Sequence, residues 1–188
     1  MRPDIQRELI PRANTLHLIG ALKAMKAEFS TGAQKWQLLD ESGHVPAEPS
    51  FTELFQHVTG AQDLSHKVLQ LTADFAGSPH SRNQAGRAVL THLAMASTMS
   101  GHATAHFAET AETALSLQRS PSQTDRRYPA NRMLIDHSTA RAYLRRTSES
   151  LHDAVKELDL HLDCHRFFPT PSPRASAAPA SKRNGRRP

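Results

Sequence analysis

The chain has 188 residues and a formal net charge of +5, enough for one compact domain and a tail. Five of its twenty-three Lys and Arg lie in residues 169–188, which hold no acid, so residues 1–168 carry eighteen bases against eighteen acids. A neutral body argues against a large nucleic-acid-binding face, and nine Ile and Val against twenty Leu and twenty-six Ala exclude a substantial sheet.

A first helix is predicted from about Arg12 to Leu39, on a stripe of Leu18, Leu22, Met25, Phe29, Ala33 and Trp36. Pro11 separates it from a short turn carrying Ile5 and Leu9, and Gly43, Pro46 and Pro49 mark the loop that follows. Ser50 with Glu53 makes a capping-box pattern that opens a second helix. Its stripe reads Leu54, His57, Ala61, Leu64, Val68, Leu71 and Phe75, and Gly77 with Pro79 ends it. A third helix is expected from about Ser81 to Gln118, on Val89, Leu93, Ala96, Ala103, Phe107, Ala114 and Leu117. Within it the run Ala88 to Ala108 carries no charge, so this helix reads as buried on most of its circumference and central to the molecule. A fourth helix is predicted to follow Pro129 and reach about His165, on Met133, His137, Ala140, Leu144, Thr147, Leu151, Val155, Leu158 and Leu162. Beyond Phe167 and Phe168, the last residues expected to dock, Pro, Ala, Ser and Arg predominate and cannot build a core.

The short links favour antiparallel neighbours. The reading is therefore all-α: an antiparallel four-helix bundle, up-down-up-down, over residues 1–168, with partial coiled-coil character and a disordered basic tail over 169–188. A lone cysteine, Cys164, excludes an intrachain disulfide and fits a reducing compartment. The start of the chain has no apolar signal region, and the 88–108 run has membrane length but holds three His and several Ser and Thr. A cytoplasmic protein without membrane contact is expected.

Histidine supplies the one chemical clue. His102 and His106 stand four apart, as do Glu53 and His57, so each pair lies on one helical face and can direct two ligands at one transition-metal ion. If the second and third helices mirror each other about Gly77-Ser78, residue 57 falls level with 98. His57 and His102 then differ by only ~6 Å along the axis. Glu53, His57, His102 and His106 are the candidate metal constellation. Against it, His102 points ~130° from its helix's apolar stripe, Glu53 serves as a cap, His92 and His106 on the stripe's shoulder can donate to a backbone carbonyl, and His137 and His165 can be satisfied core or interface histidines.

The segment Ser50-Phe-Thr-Glu-Leu-Phe-Gln-His57-Val resembles the second-helix start of DinB-like metal-binding bundles, and His161-Leu-Asp-Cys-His165-Arg166 resembles that family's later His pair followed by Arg. The resemblance covers about fifteen residues and implies metal ligation by His57, His161 and His165. The two-residue link after the second helix instead places His57 and His165 at opposite ends.

Phosphate loops, Cys pairs and nucleophile elbows are absent from the sequence. Asp and Glu are scattered through mixed faces and read as solvated surface. The leading expectation is a non-enzymatic bundle without a cofactor that associates with itself or with another protein. Two alternatives stand beside it: a bundle holding a divalent transition metal through His57, His102 and His106, with Glu53 possible, and a nucleic-acid accessory protein acting through its basic tail.

Overall fold

The computed structural model describes residues 9–119 and 122–167; the expected tail, the turn at Ile5, and the side chains of His165, Phe167 and Phe168 lie outside what is described. Four helices form: α1 (Arg12–Lys35), α2 (Phe51–Gly77), α3 (Gln84–Arg119) and α4 (Gln123–Phe167). No strand occurs among the described residues. None of the helices described is long and apolar enough to cross a membrane.

Around the bundle, α3 packs on α2 and α4, α4 packs on α1, and α1 meets α2 only sparsely. Cross-helix contacts run antiparallel at each of these pairs. Ser65 and Thr72 of α2 meet Ser100 and Ser97 of α3. His92 and His106 of α3 meet Ser150 and Asp136 of α4. Ile10, Ser30 and Ala33 reach His161, Ser148 and Arg141. The expected stripes of α3 and α4 are buried throughout, except that Leu162 is partly exposed.

Hydroxyl pairs fix how these helices meet. Ser30 with Ser148, Ser65 with Ser100 and Thr72 with Ser97 are hydrogen-bonded at 2.9, 3.1 and 3.0 Å. Small polar side chains let the backbones approach, and Thr72, Ser97 and Ser100, which also donate to carbonyls of their own helices, gain a second partner across the interface in this register.

Three boundaries differ from the sequence reading. Helix α1 stops at Lys35 rather than near Leu39, because Arg141 donates from Nε to the Ala33 carbonyl at 2.8 Å, the position that the amide of residue 37 fills in a continuing helix. The link from α2 to α3 is not two residues. A 3-10 turn, Pro79–Arg82, intervenes, and Asn83 caps α3 by accepting from the Gly86 amide at 2.7 Å. Gly86 is obligatory there, since a Cβ would lie 1.9 Å from the His80 carbonyl oxygen. Finally, α4 begins at Gln123, six residues before Pro129. Ser122 accepts from the Asp125 amide at 3.2 Å, and this cap starts the helix although Pro129 forfeits one backbone bond within it.

Candidate metal centre

The chemistry-bearing side chains gather at the end of the bundle where α2 begins and α4 is in its first turns. Ser50 caps α2 by accepting from the Glu53 amide at 3.3 Å, which leaves the Glu53 carboxylate exposed one turn before His57. His57 turns inward. Its ring stacks on Trp36 with centroids 5.7 Å apart and meets the edge of Phe107 at 5.8 Å. His137, from the apolar stripe of α4, closes the group. Its Nε2 lies 3.4 Å from Nδ1 of His57, and Phe107 packs edge-on against it at 5.2 Å.

Burial sets the protonation of this pair. His137 is pushed down to about 3, first by desolvation and then by His57 and the Arg141 cation. Desolvation also lowers His57, with Glu53 opposing and Arg141 reinforcing the shift. With burial favouring the neutral form of both rings, the contact between them is one between neutral imidazoles.

His57 thus sits level with Phe107 and against His137, not beside His102. The mirror about Gly77-Ser78 fails because the 3-10 turn and Asn83 move the centre of the α2–α3 hairpin several residues along the chain. His102 lies on the exposed surface as its angle from the stripe implies, with its ring against Tyr143 at 5.1 Å. The four candidates Glu53, His57, His102 and His106 therefore do not converge; among the described residues they form no common ligand group. Nor do the residues implied by the DinB-like resemblance. His161 lies twenty-four residues beyond His137 on α4, ~36 Å of helix, and its Nε2 accepts from the Ile10 amide at 2.9 Å.

His106 does enter a cluster, with partners the sequence reading passed over. It is half-buried on α3, its ring parallel to Tyr143 at 5.7 Å. Its Nδ1 lies 3.0 Å from Glu109 Oε2, three residues along the same helix, and 3.8 Å from Oδ1 of Asp136 on α4. One potential ligand atom from each of His106, Glu109 and Asp136 falls within 4.8 Å of the others. Metal–ligand bonds of ~2.0–2.2 Å hold ligand atoms at most ~4.4 Å apart, so small side-chain rotations bring these three onto one ion. Imidazole with carboxylates suits a divalent first-row metal such as manganese, iron or zinc.

Asp136 is the unusual member. It was expected at the surface with the other acids, yet it is only 8 % exposed. Its Oδ2 is out of water and accepts no hydrogen bond; the nearest cation is Arg132, whose Nε stands 3.5 Å away. A buried carboxylate oxygen without a hydrogen bond is costly and needs a positive partner. Spacing carried a signal for it: Asp136 is three residues after Met133 and four before Ala140, both fully buried. Next to the cluster, a cleft of about 410 Å³ opens between α3 and the start of α4, lined by Glu109, Glu112, Thr113, Ser116, Tyr128, Pro129 and Arg132.

Comparisons of the chain with protein-family models, with curated proteins and with solved structures found no match. The fold and the cluster define it as a four-helix bundle with one histidine and two carboxylates converging from α3 and α4.

Proposed function

We propose that the protein is a divalent-metal-binding helical bundle whose ion is held by His106, Glu109 and Asp136. This keeps the metal-binding expectation and replaces the ligand set first suggested for it. One observation carries the reading: a buried carboxylate, its Oδ2 without a hydrogen bond and its Oδ1 3.8 Å from His106, shares with that imidazole and with Glu109 potential ligand atoms that all lie within 4.8 Å of one another. Supporting it, both carboxylates are mounted on rigid helices, which fix ligand geometry better than loops do.

The test is metal content of the full chain, prepared without chelators and then loaded with Mn²⁺, Fe²⁺ or Zn²⁺ and desalted. About one ion per chain is expected for the wild type. Asp136→Asn keeps the shape but loses the ion, while His57→Ala and His102→Ala retain it. Stoichiometric metal in Asp136→Asn, or none in the wild type, overturns the assignment.

A second reading, association with itself or another protein, is favoured by the outer face of α4, where Tyr128 and Ile135 are 73 % and 62 % exposed and Leu134 stands beside them. A cytoplasmic setting belongs to the same proposal and rests on the single cysteine. Nucleic-acid contact through residues 169–188 concerns a segment outside the described residues.

A further inference from the structure

Three protein ligands do not saturate a divalent transition metal; at least one position stays open for water or a ligand. The cleft between α3 and the start of α4 adjoins that position, because one of its lining residues belongs to the cluster and another is ion-paired to it. Glu109 supplies a ligand atom, and Arg132 stands 3.5 Å from the far oxygen of Asp136. Arg132 is half exposed, so its Nε faces Asp136 while the guanidinium also borders the cleft.

Charge then decides what enters. Without an ion, one guanidinium faces the carboxylates of Glu109, Glu112 and Asp136, and an anion is repelled. A divalent ion cancels two of those charges and places an electrophile beside the guanidinium. The combination of a metal with an open position and a planar, always-charged fork suits a group with two anionic oxygens, one for each.

Resting on the metal reading above, we infer that this cleft binds a small oxyanion, a carboxylate or phosphate group, bridging the ion at His106, Glu109 and Asp136 to the Arg132 guanidinium. Binding is ordered: metal first, anion second. The cleft volume of about 410 Å³ admits a small metabolite carrying such a group.

The experiment is calorimetric titration of the full chain with MnCl₂ in a non-coordinating buffer, followed by inorganic phosphate or acetate added to the Mn²⁺-loaded and to the metal-free protein. At least one anion is expected to bind the loaded form about tenfold or more tightly than the metal-free form. Arg132→Gln removes that gain, while Mn²⁺ affinity, read in the same titration, holds or rises because a competing cation beside Asp136 is gone. Mn²⁺ uptake with no gain for either anion, or a gain that survives Arg132→Gln, overturns this inference and leaves the metal reading standing. Failure of the wild type to take up Mn²⁺ overturns both.

Discussion

His137 shows how one side chain couples burial to acidity. It is 2 % exposed, and its pKa falls from the ordinary 6.5 to about 3. Between those values the unfolded chain binds a proton that the folded chain refuses, so stability is full above pH 6.5 and is lost as pH falls toward 3. The slope reaches at most about 1.4 kcal/mol per pH unit, and His57, lowered for the same reason, adds in the same direction. Urea unfolding at pH 7 and pH 5 is expected to show a clear loss at the lower pH. In His137→Gln, which takes up no proton, the loss shrinks, although the variant is less stable at pH 7. A variant as acid-sensitive as the wild type removes His137 as the cause. The burial of His137 was legible, because it falls on the stripe between Met133 and Ala140. Its partner was not, since a contact between α2 and α4 depends on registers that no local pattern encodes.

Among the helices, the sparse contact between α1 and α2 is bridged by Trp36. The indole packs over Gly32 and Gly60, where an added Cβ would lie 3.2 and 2.7 Å from ring carbons. Gly60→Ala therefore gains helix propensity but pushes the ring out of its slot, and a net loss of about 1–2 kcal/mol is expected from overpacking. Gly20 and Gly101, on exposed faces of α1 and α3, have nothing within 4 Å of a Cβ. Alanine there is expected to stabilise by about 0.5–1 kcal/mol. Thermal unfolding followed by circular dichroism separates the two outcomes, and a neutral or stabilising Gly60→Ala removes the wedge. At this scale the sequence was most readable: the stripes of α3 and α4 are the core, and Ser50 caps α2 as its pattern implied. The misreadings lie where short-range signals compete. The Ser122 cap prevailed over Pro129, and a 3-10 turn lengthened a link that Gly77 and Pro79 made look abrupt. That one lengthened link is enough to send His57 to a different neighbour.

Taken whole, the molecule is polarised. One end holds His57, His106, Glu109, Asp136, His137 and Arg141; the other, near Ile10 and His161, is closed by the start of α1 and the last turns of α4. The exposed apolar side chains of Tyr128, Leu134 and Ile135 lie on the first third of α4, at the polar end. If they mediate association, the wild type sediments as an oligomer and Ile135→Lys as a monomer of unchanged helicity; a wild-type monomer at high concentration sinks self-association through this face. Trp36 is the chain's single tryptophan, and its ring lies flat against His57 at the same end. Its emission is therefore expected to fall in acid, as the neighbouring His57 ring, lowered by burial, takes up a proton. The protein carries an intrinsic optical gauge of its own interior protonation, readable on the unmodified chain without any attached dye.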